Sequence, residues 1–285
     1  MTTNIAIGKE NALAIAKATN DTFDLFDLTE FADLFVENRH SSWYASGKTY
    51  QCIFGDTNSG TWTPTAPGVG LVPLATDLIT VVYNNCQQDP MLSDRLNGTL
   101  VIQLTSVSGN PASFTKNSPW SYGADVTFKK LEVTTTARHH VIDGQISIQI
   151  GARGLGTQQY ADINDLKITS PNIHIKKDAD THEFSNVTMM ITQDHTVSIP
   201  TFQATVNANL TSSTLNGRID IQTITPFLGS GATDYPSNGY AKILGAAGTS
   251  LDFRPGAGDS VTLTINDGGR APASINSSWA ELDHD

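Results

Sequence analysis

The sequence predicts a mainly β protein: one long antiparallel meander, a curved sheet or a sandwich, with an N-terminal amphipathic helical segment. Three observations predict it. From about residue 49 onward apolar and polar residues alternate in run after run, the pattern of strands with one buried and one wet face. Charged residues make up 16% of the chain, while Thr, Ser, Asn and Gly are plentiful, which suits strands with short polar side chains on the wet face. Residues 10–38 instead show apolar spacing of three and four, the helical period.

Within 10–38, Leu13, Ile15 and Ala16 are followed by Phe23, Leu25, Phe26, Leu28, Phe31, Leu34 and Phe35. The polar stretch Thr19-Asn20-Asp21-Thr22 interrupts the pattern, so one or two helices are expected, with Thr29 as a cap and Glu30 in the first turn. The Phe/Leu face of this segment needs a sheet to cover. Strands follow in order: Ile79, Val81 and Tyr83 alternate, as do Leu100, Ile102 and Leu104, then Ile146, Ile148 and Ile150. Ile173 and Ile175, Val187, Met189 and Ile191, the run from Phe202 to Leu210, and Val261, Leu263 and Ile265 complete the series. Parallel strands buried on both faces would be continuously apolar, so the sheet is expected to be antiparallel. Loops fall at Gly/Pro/Ser clusters too short for linkers, which favours a single domain over 1–285, with the sheet spanning 49–285.

A small unit recurs: "LNGTLVI", "IDGQISI", "LNGRIDI" and "SNGYAKI", each Asn/Asp-Gly or Asn-Gly followed by a strand-like run. Such pairs supply the positive φ angles of tight turns, so each copy is expected to open the return strand of a hairpin. The irregular spacing argues against a solenoid or propeller.

Formal net charge is −11, from 17 basic and 28 acidic residues. That balance repels phosphate backbones and anionic lipid, so neither nucleic acid nor an anionic membrane surface is an expected partner. No segment approaches the roughly 20 apolar residues of a membrane span. The start, "MTTNIAIGKEN", lacks the basic and apolar regions of an export signal.

The two cysteines, Cys52 and Cys86, both lie where β-structure begins, with a turn-rich excursion between them. A catalytic thiol normally has a histidine partner or a helix N-terminus, and two cysteines without a CxxC pair do not build a zinc site alone. A Cys52–Cys86 disulfide is the simplest reading; two free buried thiols and a reactive thiol are the alternatives. The run "CIFGDTNSGTWT", then "YNNCQQ", then "RLNGTL" resembles uncharacterised bacterial secreted or lipid-anchored envelope proteins. The resemblance covers residues 52–102 and implies an exported chain with one disulfide, its signal segment missing: periplasmic, outer-membrane-anchored or extracellular, with membrane contact through a lost lipid anchor. It implies no catalytic residues.

Candidate chemistry is sparse. Asp178, Asp180 and Glu183 in "KKDADTHEF" are calcium candidates, though the calcium-loop pattern is absent and a solvated hairpin tip is the simpler reading. His139 and His140 are adjacent on a strand and point to opposite faces, while His174, His182 and His195 are a conceivable metal set across neighbouring strands. The match Ser113 to Lys116 lacks its companion motifs, and no G-x-S-x-G or H-E-x-x-H occurs. Trp43, Tyr44, Tyr50, Trp62, Trp120 and Tyr122 lie in loops or near strand ends, where aromatics stack on sugars, anchor partners or plug loops. The expectation is therefore a non-catalytic envelope or extracellular binding or scaffold protein without a cofactor. Its partner is a protein, a glycan, or an apolar ligand held between helix and sheet. A surface adhesin or glycan-binding module using Trp43, Trp62, Trp120 and Tyr122 is the alternative. A hydrolase with a dispersed acidic site is the third reading.

Overall fold

The computed structural model describes the chain outside residues 1–2, 26, 30–45, 53–55, 57, 66–73, 88–94, 110–118, 136–138, 154–162, 232–234 and 284–285. Fourteen strands form one open antiparallel sheet in which every strand pairs with its sequence neighbours. They are β1 (Tyr50–Gln51), β2 (Thr61–Thr65), β3 (Leu78–Gln87), β4 (Arg95–Ser108), β5 (Trp120–Thr134), β6 (His139–Arg153) and β7 (Ile163–Lys177). The series continues with β8 (Asp180–Asp194), β9 (Thr201–Ser212), β10 (Gly217–Ser230), β11 (Asn238–Leu244), β12 (Ser250–Pro255), β13 (Ser260–Asn266) and β14 (Ala273–Ser278). The expected meander is present as a single sheet.

Alternation places the core as the sequence predicts. Ile79, Val81 and Tyr83, Leu100, Ile102 and Leu104, Ile173 and Ile175, and Val261, Leu263 and Ile265 are all 0–5% exposed. A flat sheet of fourteen strands would be about 62 Å wide, far more than the described helices cover. On the inner face, Phe227 of β10 and Phe253 of β12, two strands apart, meet edge to face with ring centroids 6.2 Å apart.

The long strands are locally irregular. Register shifts interrupt β3–β4, β4–β5, β5–β6, β6–β7 and β8–β9 in the body of the long strands, and each bulge bends its strand and increases the local twist. Two of the recurring Asn/Asp-Gly pairs sit here. Asn97-Gly98 lies inside β4 and Asp143-Gly144 inside β6, with φ +110 at Gly98 and +127 at Gly144. This corrects the expectation that they open hairpins. The positive φ is present as predicted, but it serves a bulge, since the chain runs straight on into the same strand. Asn216-Gly217 does stand at the β9–β10 turn, and Asn238-Gly239 opens β11.

The N-terminal segment is stitched onto the β9–β13 side of the sheet. The Ile5 N–H donates to the Arg218 carbonyl at 3.1 Å, the Ala246 N–H to the Ile5 carbonyl at 2.7 Å, and the Ile7 N–H to Thr249 Oγ1 at 2.9 Å. Helix α1 (Ala12–Asn20) follows, burying Ala12, Ile15, Ala16 and Thr19 at helical spacing. Before it, Asn11 Oδ1 accepts from the Gly8 N–H at 2.9 Å while Asn11 Nδ2 donates to the Ala6 carbonyl at 2.9 Å. The α-helix stops within the polar stretch, at Asn20, and two 3-10 turns continue it (Asp21–Leu25 and Asp27–Thr29). Helical structure over 10–38 is thus shorter and tighter than predicted as far as residue 29, and the proposed Glu30 turn and the Phe31–Phe35 face lie outside the described residues. A last short helix, α2 (Trp279–Leu282), is capped by Ser278, whose Oγ accepts from the Glu281 N–H at 3.1 Å.

Candidate functional site

The Cys52–Cys86 disulfide is present, with Cα atoms 5.5 Å apart. Cys86 is buried in β3 opposite Leu96, and Cys52 follows the two-residue edge strand β1. The bond ties that edge to β3 across β2, where Gly60 accepts a hydrogen bond from the Cys52 N–H at 3.2 Å. Both sulfurs are committed, so neither cysteine is a nucleophile in this state.

Among the described residues, the predicted aromatics do not form a common exposed surface. Trp62 is in β2, stacked on Tyr50 of β1 (centroids 5.2 Å, 27° between planes), with the Lys48 ammonium 5.1 Å from the Tyr50 ring. Trp62 and Trp120 pack against the core, and Tyr122 is 1% exposed inside it. Trp62 is the second residue of β2 and Trp120 the first of β5, both near strand ends, while alternation puts Tyr122 on the inner face of β5, with Trp120, two residues earlier, in the same phase. Trp43 and Tyr44 lie outside the described residues, as do His40, His284 and the Ser113–Lys116 match.

Asp178 sits at the two-residue β7–β8 hairpin turn with φ +51, and its Oδ1 accepts from the His139 N–H at 3.1 Å. Asp180 starts β8, and Glu183 lies on the outer face of that strand opposite His174. The three candidate calcium ligands therefore divide between a turn and a sheet face. No cluster of three His, Cys, Asp or Glu side chains suited to a metal occurs among the described residues. His174 is exposed while His182 is 5% exposed. They lie on opposite faces because His182 pairs with Ile175, one residue past His174. His195 is at the far end of β8. The conceivable His174/His182/His195 set is not brought together.

What the fold does bring together is a row across the outer face. Register places Asp143 of β6, His174 of β7, Glu183 of β8 and Thr211 of β9 side by side, with Arg218 of β10 next. The His174 ring is flanked on both sides by carboxylate-bearing residues. Its Nε2 lies 3.0 Å from Asn172 Nδ2, and the buried Asn172 Oδ1 has no hydrogen-bond partner among the described residues. This row floors an open groove of about 630 Å³, whose rim adds Lys130, Lys176 and Ser213. Farther along, Asp220 Oδ1 accepts from Asn209 Nδ2 at 2.6 Å and from Arg218 Nη2 at 3.0 Å. The groove thus offers both charges, hydroxyls and the Asn216 amide, on hydrogen-bonded strands and the β9–β10 turn. Neutral-pH ligands rich in donors and acceptors are what such a surface can hold.

The Asp143 carboxylate has a second task, since its Oδ1 accepts from the N–H of Lys130, the bulged β5 residue with φ +49. The same device occurs at β3–β4, where Asn97 Oδ1 accepts from the N–H of Asn85, also at φ +49. Sequence reading missed the groove because its members come from six strands and a turn. The signal within reach was the outward phase of His174 and Glu183 in two adjacent alternating runs.

Behind the groove, on the inner side, a smaller cleft of about 350 Å³ lies between α1 and the β7–β8 turn, lined by Lys17, Asp21, His140, Lys177 and His182. Lys177 Nζ donates to Asp21 Oδ1 at 2.8 Å, and His182 Nε2 lies 3.8 Å from Asp21 Oδ2. These contacts fasten the helix to the sheet. Comparison with protein-family models, with curated proteins and with solved structures finds no match to this chain.

Proposed function

We propose that this chain is a non-catalytic binding or scaffold protein of the cell envelope or extracellular space, and that it engages its partner through the outer-face groove around His174. The observation that carries the reading is the register row Asp143–His174–Glu183–Thr211, which sets charged and hydroxyl groups on a sheet whose inner face is filled. Such a surface recognises by hydrogen bonds and complementary charge. The disulfide supports an oxidising compartment. An apolar ligand between helix and sheet would have to displace the chain's own side chains, since Ala12, Ile15, Ala16 and Leu25 are 0% exposed. The glycan-binding alternative transfers more readily to the groove's hydroxyls than to Trp62, which already stacks on Tyr50.

Backbone amide NMR titration with a panel of oligosaccharides and of charged and neutral peptides tests this. Shifts centred on His174, Glu183 and Thr211, lost in Glu183→Ala, support the groove. Shifts centred on Trp62 or Trp120 point to the aromatic reading instead. Cleavage of any glycosidic or peptide bond in the panel overturns the non-catalytic reading.

A further inference from the structure

We infer that β14 is a pairing edge through which two copies of this chain associate about a two-fold axis, each adding its β14 antiparallel to the other's. The two edges of the sheet are built differently. At one, β1 has two residues and is followed by a cysteine tied to β3, a short and tethered edge of the kind that discourages pairing. At the other, β14 pairs with β13 at six consecutive positions without a register shift, from Ser260↔Ser278 to Ile265↔Ala273. Its sequence, Ala-Ser-Ile-Asn-Ser-Ser, contains no charge, no proline and no glycine. Among the described residues nothing pairs with its outer side, and Ala273, Ser274 and Asn276 are exposed. A regular, uncharged edge is a template for another strand.

Charge and side-chain phase favour a second copy as the occupant. A two-fold axis normal to the sheet keeps inner and outer faces aligned, so residues of like phase must face each other. Centring the axis at Ile275 sets that residue against the partner's Ile275, and Ser274 against the partner's Asn276. Ile275 belongs to the inner phase, opposite Leu263, and packs against the core; the two isoleucines would extend that core across the seam. Pro272 before β14 and the α2 turn after it bound the paired length. The same alignment carries Arg270 to the α2 turn of the partner, beside the partner's Glu281. Arg270 is 87% exposed, with a 3.7 Å contact to Asp267, and Glu281 accepts a 2.7 Å hydrogen bond from Ser277 Oγ at the exposed end of the strand. Two opposite charges thus meet twice, once at each end of the seam. Pairing this short buries less than a standard interface of about 1,600 Å², so association in the micromolar range is expected.

Sedimentation velocity of the full chain from about 1 μM to about 1 mM tests it. Wild type is expected to pass from monomer to dimer, with amide exchange in β14 slowing as concentration rises. Ser274→Lys with Asn276→Lys places lysine opposite lysine at two points and is expected to weaken dimerisation at least tenfold. Both positions are exposed, and an unchanged melting temperature checks that the fold survives. Arg270→Glu alone weakens the dimer several-fold, and adding Glu281→Arg restores it. A monomer throughout the range overturns the inference, also if a synthetic extended peptide protects β14 instead. A dimer indifferent to the lysines or to the charge swap overturns it equally.

Discussion

At Gly144 the backbone turns through φ +127, and a Cβ added there would lie 2.8 Å from the Asn172 carbonyl oxygen and 2.9 Å from Ile173 Cα. Gly144→Ala is therefore expected to cost about 2–3 kcal/mol in urea unfolding. At Gly47, with φ +75 and nothing within 4 Å, the same change meets only the conformational cost, about 1 kcal/mol. A Gly144 variant no worse than the Gly47 one would remove the bulge from the account of curvature. Tyr240 supplies a pH signature. Burial, and then the 2.9 Å hydrogen bond from its hydroxyl to Asp252 Oδ1, hold its phenol above the ordinary range, against the opposing charge of Arg254, whose guanidinium lies 3.7 Å from the ring centroid. A phenol with a raised folded pKa contributes stability that is complete below the unfolded value of about 10. That contribution is lost as pH rises from there through the folded value. Tyrosinate absorbance is expected to show a late-titrating contribution from Tyr240, absent in Tyr240→Phe and moved earlier in Asp252→Asn. At this scale the sequence marked positions but not partners. His174 and His182 look alike in the chain, and phase relative to Ile175 separates the exposed one from the buried one.

Among elements, the edge strand β1 is the weakest, and the disulfide compensates. Closing a loop of 34 residues removes about 3–4 kcal/mol of chain entropy from the unfolded state. Reduction, or Cys52→Ser with Cys86→Ser, is expected to lower stability by about that amount and to expose the Tyr50–Trp62 stack, read as a rise and red shift in Trp fluorescence. The helix–sheet clasp is the second element-scale device. Asp21 and Lys177 have side chains 10% and 16% exposed, so removing one partner takes this ion pair away from a poorly solvated charge. Asp21→Ala is expected to cost about 3 kcal/mol, and Asp21→Leu with Lys177→Met less than that. A double variant as damaging as the sum of its singles would show that the two groups do not act as a pair. Both cysteines and the alternating strands were legible because each depends on local residue type. The Asn/Asp-Gly pairs were legible only in part, because a positive φ closes a hairpin or makes a bulge according to where the neighbouring strand continues.

In the whole molecule, a meander makes nearly all of its strand pairs between sequence neighbours, and the N-terminal segment supplies the long connections. Ile7 is 1% exposed and its N–H reaches Thr249. Ile7→Ala is expected to cost about 2–4 kcal/mol and to raise amide exchange at Ile5, Arg218 and Ala246 well before exchange in β5–β8 changes. Uniform loss of protection would mean that the sheet and its stitch unfold as one unit. The groove belongs to this scale as well. No single strand contains it, and register across neighbouring strands sets its members side by side.

The sequence by itself determined the strand phases and the antiparallel meander, and it made the Cys52–Cys86 pairing the simplest of its readings. Each of these follows from period or residue chemistry read over a few neighbouring positions. The tertiary structure alone decided which Asn/Asp-Gly pairs bend a strand and which reverse it, that Tyr122 is core, and that Asp143, His174 and Glu183 share one row. Those outcomes depend on register between strands tens of residues apart, a quantity set by the packing of the shared inner face and not by any one segment.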